Sequence, residues 1–385
     1  MIDCHKVLAA YGCLIPRLMS GVFDASRHRA VWPSTGNYCR GGVAIATLLG
    51  CRSVAVLPEG MSQERFDWLN RWLADPADIH RTPGTESNVK EIYDACHELS
   101  KSPQNLILNQ FSEYGNYIIH RAVTGPALER IYHHLNADGN LRARAFVSAT
   151  GSAGTIAAGD HLKASLGAQI CAVEATECPT LLVNGYGEHN IQGIGDKHVP
   201  LIHNVMNSDF VIGVSDRITD GLNMVFNTEA GKSYLAEHRG MQPENISSLS
   251  SLGFSAIANV VGAIKYARYM DLGENDVVLT VATDGAPLYQ SELQAALQKF
   301  HQGSMSEVAA AETFGRGILG AATDNMIEMS YRERQRVFNL GYYTWVEQQG
   351  TSLSDFERRR DQSFWDGLMD YVPVWDNMIE NFNAA

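Results

Sequence analysis

The sequence predicts an α/β protein: two domains with mostly parallel twisted sheets flanked by helices, followed by a C-terminal helical extension. Three observations carry this. Short apolar runs of strand length alternate with amphipathic stretches of 10–15 residues, the pattern of βαβ units. At 385 residues with 45% hydrophobic and 19% charged content, the chain is long enough for two cores of ordinary globular composition. Beyond about residue 300 strand-like runs give way to helical spacing with many aromatics, among them Tyr342, Tyr343, Trp345, Phe364, Trp365, Tyr371 and Trp375. The expected units are 1–135, 136–300 and 301–385.

The elements follow in order. Val43, Ile45, Ala46, Leu48 and Leu49 predict a helix closed by Gly50. Ser53–Leu57 is an apolar strand ending at Pro58, and Phe66, Leu69 and Leu73 mark a helix over 61–73. Ile79–Thr82 is a short strand; Val89, Ile92, Tyr93, Cys96 and Leu99 share one helical face; Leu106–Leu108 is again a strand. A helix over Tyr117–Tyr132 precedes the strand Ala145–Ala149, which runs into a glycine loop. Helix Ile156–Leu166 and strand Gln169–Glu174 come next, then strands Asp209–Val214 and Asp276–Ala282. Ser215–Asp216 reads as a helix cap, and the polar stretch Asn227–Ser251 as partly loop.

Composition narrows the function. A formal net charge of −13 disfavours a nucleic-acid surface but leaves room for a local anion site built from backbone N–H groups. No apolar run approaches the roughly 20 residues of a membrane-spanning helix, and the first residues lack the order of a secretory signal. The seven cysteines are scattered, odd in number and without a CxxC pair, which predicts reduced, buried thiols in the cytoplasm. Neither a nucleic-acid nor a membrane partner is expected.

Three segments carry possible chemistry. Lys6 sits among Val7, Leu8, Ala9 and Ala10, so its ammonium meets apolar surface. Burial of this kind lowers a lysine pKa and frees the amine to attack a carbonyl. Ser34–Thr35–Gly36–Asn37 stands before a helix, with hydroxyls and free N–H groups that either cap it or bind a carboxylate. Gly151–Ser152–Ala153–Gly154–Thr155 joins a strand to a helix, where α/β sheets bind phosphate, but it has neither a GK[ST] nor a GxGxxG pattern. His189, His198 and His203 match no compact metal motif and are expected to be ordinary polar histidines; no metal is expected.

Taken in order, these residues resemble the fold-type II pyridoxal-phosphate enzymes of the tryptophan synthase β superfamily, and cysteine synthase in particular. The likeness spans about residues 5–290. Lys6 stands at the Schiff-base position, with His5–Lys6 similar to the pair in the tryptophan synthase β chain; Ser34–Asn37 resembles TSGN. Pro58–Ser62 with Glu64–Arg65 resembles PExMSxER, and Gln110–Phe111 followed by Thr124–Pro126 resembles QF…TGP. Gly151–Thr155 resembles the GTGGT phosphate loop, His189–Gly195 the HKIQGIG segment, and Gly253–Ser255 the start of GISSG. The chain departs from the family in three places. Five residues precede Lys6 where members have several tens, Tyr38–Cys39–Arg40 replaces Thr–Gly after the asparagine, and the tail beyond 300 lies outside the pattern.

The resemblance implies the following roles. Pyridoxal 5'-phosphate is the cofactor and Lys6 its Schiff-base lysine and the base that moves the α-proton. Asn37 holds the ring 3' oxygen. Gly151, Ser152, Ala153, Gly154 and Thr155 hold the phosphate. Ser34, Thr35 and Gln110 bind the carboxylate of a small amino-acid substrate. Thr283 is the expected partner of the ring nitrogen, with Asp284 the alternative that would make the ring a stronger electron sink. The implied reaction is elimination and replacement at Cβ through an aminoacrylate, in a cytoplasmic homodimer. Alternatives are a serine/threonine dehydratase-type lyase and a catalytically degenerate module that only binds the cofactor.

Overall fold

The computed structural model describes every residue except Met1, Asp3, Thr35 and Ala385. Two sheets organise the chain. The first has four parallel strands, β1 (Arg29–Pro33), β2 (Arg52–Pro58), β3 (Ile79–Thr82) and β4 (Asn105–Ile107), in the order β3-β2-β1-β4. The second has β5 (Arg142–Ala149), β6 (Gln169–Ala175), β7 (Phe210–Val214), β8 (Asp276–Thr280) and β9 (Met326–Glu328), in the order β8-β5-β6-β7-β9. All its pairings are parallel except β7 with β9.

Both sheets reverse their direction of growth beside the site. From β1 the chain adds β2 on one side and β4 on the other; from β5 it adds β6 on one side and β8 on the other. Such a reversal parts the loops at the carboxyl ends of the two central strands and leaves a crevice where α/β proteins bind ligands. Residues that follow β1 (Ser34, Asn37), β4 (Gln110), β5 (Thr150–Thr155) and β8 (Val281, Thr283) together line one cavity.

The central strands are buried on both faces, as their near-continuous apolar runs predict. Trp32, Val54, Ala55 and Val56 are fully shielded in the first sheet, and Phe146, Val147, Cys171 and Ala172 in the second. The Asn37–Leu48 helix packs closely on the Lys6–Met19 helix. A Cβ on Gly41 would lie 2.5 Å from the Lys6 carbonyl carbon and oxygen, so the missing side chain is what brings the two backbones together at the lysine.

Several elements differ from expectation. The Asn37–Leu48 helix starts at the asparagine itself. The expected helix over 117–132 is longer and is interrupted by a π-helical turn, His120–Thr124. The stretch 227–251 is mostly helix (Glu229–Glu237 and Pro243–Ser248), because its polar residues cover an inner face formed by Gly231, Tyr234, Leu235 and Ile246. The tail is helical as expected but also supplies the edge strand β9. Its aromatics fold back onto the core: Trp345 Nε1 donates to the Val199 carbonyl at 2.8 Å, and the Trp365 ring lies 4.8 Å from that of Tyr117. Burying a side chain such as Phe356 there contributes roughly 1.5–3 kcal/mol. All seven cysteines are buried and free. Among the described residues no single helix is long and apolar enough to cross a membrane.

Candidate active site

Lys6 opens the first helix and its amine points into the cavity. Nζ donates to Gln110 Oε1 at 3.0 Å and to Ser152 Oγ at 2.7 Å, joining the lysine to one loop from each sheet. Burial lowers its pKa to about 8, against the opposing pull of surrounding groups that include Asp196 and Glu86. A substantial fraction of neutral amine near pH 8 follows, the form that condenses with a carbonyl.

The glycine loop closes the other side. Among the described hydrogen bonds, the backbone N–H groups of Gly151, Ser152, Ala153, Gly154 and Thr155 have no protein acceptor, and these residues line the cavity. Ala153 adopts a left-handed φ of 63°, which turns the chain so that successive amides face inward. A Cβ on Gly154 would lie 2.1 Å from Asn116 Oδ1, so only glycine lets the loop seat against that side chain. Asn116 Nδ2 donates to Ser152 Oγ at 3.1 Å and to the Gln110 carbonyl at 3.0 Å, locking the loop to the opposite wall. This is an anion cradle with a lysine at its rim, and the donor set fits a phosphorylated aldehyde.

The remaining expected residues divide. Ser34 and Gln110 line the cavity; Ser34 Oγ accepts the Gly36 N–H at 2.7 Å and thus holds the turn before the helix. Gly36 has a φ of 145°, outside the reach of other residues, and no side chain caps this helix directly. Thr35 lies outside the described residues. Asn37 lines the cavity, but its amide is engaged: Nδ2 donates to Asp284 Oδ2 at 2.6 Å, and Oδ1 accepts from Arg40 at 3.1 Å. Thr283, and not Asp284, lines this cavity. The Asp284 carboxylate is turned away into a network with Asn37, Tyr289 (2.5 Å) and Arg65 (3.7 Å).

Two groups near the site had no assigned role. His5 spans the cavity, one ring nitrogen 2.6 Å from Thr283 Oγ1 and the other 2.6 Å from Thr155 Oγ1. Burial, with help from the Lys6 charge, lowers its pKa to about 4, so it is a neutral ring that donates at one nitrogen and accepts at the other. Its place beside the lysine was the available signal. The second is Asp196, directly after the His189–Gly195 segment, whose Gly193 and Ile194 line the cavity. Of the three histidines of that region, His189 and His203 are buried and His198 is half-buried; His189 Nε2 lies 2.9 Å from the Gly195 carbonyl.

Comparison with known proteins gives the family and its cofactor. The profile described as pyridoxal-phosphate dependent enzyme matches residues 5–220. The chain belongs to that family. Its cofactor is pyridoxal 5'-phosphate, and the expected fold-type II architecture holds. Cysteine synthase B of Campylobacter jejuni is 31% identical over 256 residues, covering 65% of this chain and 75% of that one. Cysteine synthase of Staphylococcus aureus is 28% identical over 263 residues, covering 68% and 75%. A hydrogen sulfide-producing enzyme from Fusobacterium nucleatum superposes with a TM-score of 0.61 at 20% identity, covering 85% of both chains.

Proposed function

We propose that this enzyme eliminates a β-substituent from a small amino acid and adds a nucleophile at Cβ, as a cysteine synthase-like transferase/lyase. The observation that carries the reading is the Lys6 amine, held at 3.0 and 2.7 Å between Gln110 and Ser152 at the rim of the glycine loop. When bound, pyridoxal phosphate supplies an electron sink for the charge left at Cα. The chain's own residues do the rest. The amides of Gly151–Thr155 hold the phosphate, and Thr283 offers a neutral hydroxyl to the ring. Asp284 is held by Asn37 and Tyr289 outside the cavity lining, which would leave the ring nitrogen to Thr283. A weaker sink of this kind suits departure of a good leaving group from Cβ. Ser34 and Gln110 bind the substrate carboxylate, with Thr35 next to Ser34 in sequence. Lys6 takes and returns the α-proton, for which a pKa of about 8 is well matched.

Relatives named cysteine synthase support a small amino acid as substrate. We further propose a cytoplasmic homodimer; the buried, unpaired cysteines suit a reducing compartment, and sedimentation of the purified protein tests the assembly. Lys6→Ala is expected to remove the visible absorbance of the bound cofactor and to lower turnover of O-acetylserine with sulfide by at least ~10³-fold. Unchanged turnover in that variant would refute the reading. Keto acid released from serine alone, with no cysteine from O-acetylserine and sulfide, would favour the dehydratase-type lyase. Cofactor bound without any turnover would favour the degenerate module.

A further inference from the structure

Asn37 sits between two buried groups of opposite character. Arg40, 4% exposed, donates from Nη1 to Asn37 Oδ1 at 3.1 Å, and Asp284 Oδ2 accepts from Asn37 Nδ2 at 2.6 Å. These two partners fix the amide. A guanidinium only donates, so the carbonyl oxygen must face Arg40; a carboxylate only accepts, so the nitrogen must face Asp284. Turned the other way, the amide would set donor against donor and oxygen against oxygen. Arg40 is anchored in its turn: Nη2 donates to the Ile2 carbonyl at 2.8 Å, and the guanidinium carbon lies 5.2 Å from the centre of the Trp68 ring. The amide nitrogen carries two protons, and the described hydrogen bonds use one of them. Asn37 lines the cofactor cavity, and its Nδ2 lies 3.9 Å from where Gly193, another cavity residue, would carry a Cβ.

We propose that Arg40 is a positioning residue: with Asp284 it clamps the Asn37 amide so that the second Nδ2 proton faces the cavity and donates to the 3' oxygen of the cofactor ring. The proposal goes beyond the reaction given above and rests only on the expected contact between Asn37 and that oxygen. An unclamped asparagine presents either end of its amide to the cavity, and its oxygen offers nothing to an oxygen on the ring. Holding the donor end in place before the cofactor arrives removes the cost of ordering it on binding. The cation also acts through the amide. Hydrogen bonds in series polarise one another, so the pull of Arg40 on Oδ1 makes the free N–H a better donor. Arg40 belongs to the Tyr38–Cys39–Arg40 stretch that stands where the family has Thr–Gly, so this device belongs to the present chain.

The test compares two ligands of the apoprotein: pyridoxal 5'-phosphate, and its analogue with hydrogen in place of the 3' hydroxyl. Equilibrium dialysis gives both dissociation constants, and their ratio is the preference for the 3' oxygen. The intrinsic difference between the two aldehydes is the same for every variant and cancels when preferences are compared. Asn37→Ala removes the donor; an unchanged preference there ends the expected contact of Asn37, and this proposal with it. With the preference lost in Asn37→Ala, Arg40→Met is expected to lower it by about 3–10-fold, the worth of one hydrogen bond, by weakening the natural cofactor alone. Arg40→Lys keeps a cation and a donor and is expected to keep most of the preference. Trp68→Leu removes the ring beside the guanidinium but no bond to the amide, and should leave the preference within about two-fold of wild type. Equal loss of both ligands in Arg40→Met, no loss of either, a fall in Arg40→Lys as large as in Arg40→Met, or a fall of that size in Trp68→Leu overturns the proposal. If Arg40→Met does not fold, the neutral Arg40→Gln replaces it, read by the same outcomes.

Discussion

Two aspartates lie buried near the cavity, and they are wired in opposite ways. Asp284 follows β8 and is tied down: Asn37 and Tyr289 donate to its Oδ2 at 2.6 and 2.5 Å, and the buried Arg65 stands 3.7 Å away. Arg65 in turn donates to Tyr289 at 2.9 Å and to Gln192, so the cluster joins segments from both sheets. Asp196 has no such partner on either oxygen. Asp284 Oδ1 is also without a partner, but the bonds to Oδ2 tie two walls together, whereas Asp196 carries its buried charge with no such tie. The sequence marks neither difference, since both are single acidic residues after apolar runs.

The comparison can be broken by mutation, and the largest effect belongs to Asp284. Asp284→Ala leaves the Arg65 guanidinium buried without its anion and should cost about 3–5 kcal/mol in denaturant unfolding. A loss under about 1 kcal/mol would remove Asp284 from its role as a structural tie. Asp196→Asn should go the other way. It removes a charge that burial disfavours, so at pH 8 it should stabilise the apoprotein by on the order of 1–3 kcal/mol.

The pH dependence sharpens that contrast. Asp196 has its pKa raised from 3.8 to about 7, so across that window the native state binds more protons than the unfolded chain. Its contribution to stability is then fully present below pH 3.8 and is lost as pH rises toward 7. The stabilising effect of Asp196→Asn should therefore shrink as the pH is lowered through this window. Lys6 is shifted down from 10.5 to about 8, so above pH 8 the unfolded chain binds the extra proton, and stability should recover as pH rises toward 10.5. Denaturation curves of wild type and Asp196→Asn from pH 5 to 10 measure both trends; a variant parallel to wild type below pH 8 would remove Asp196 as the source of the first.

The smallest effect concerns the ring side of the site. Thr283→Val removes the hydroxyl bonded to His5 while keeping the shape. Loss of one neutral hydrogen bond, about 0.5–1.5 kcal/mol, should weaken cofactor binding by about 2–10-fold in equilibrium dialysis. An unchanged affinity would place the ring contact elsewhere.

Much of this architecture was legible in the chain. β3 has the expected bounds, Ile79–Thr82, and β5 enters the glycine loop as expected, its buried centre Ala145–Ser148 following from a mostly apolar run. Lys6, Gln110, Ser152 and Thr283 were each legible as residues of a motif. Their mutual distances were not, since Lys6 meets Gln110 across 104 positions and Ser152 across 146, and only the packing of two sheets brings them together. The polar stretch 227–251 was misread in part because its helices bury few apolar residues each. β9 was invisible: three residues give no period, and its pairing with β7 is decided across more than a hundred positions.

The amino-acid sequence alone determined the kind of chemistry: an amine near one end, a turn rich in glycine far along the chain, and apolar runs spaced for parallel sheets. These are local properties of residue type and periodicity. Tertiary structure decided which carboxylate is neutralised and which is left bare, which of Thr283 and Asp284 meets the cavity, and that His5 spans it. Those outcomes depend on desolvation and on partners supplied by distant segments, and no local pattern encodes either.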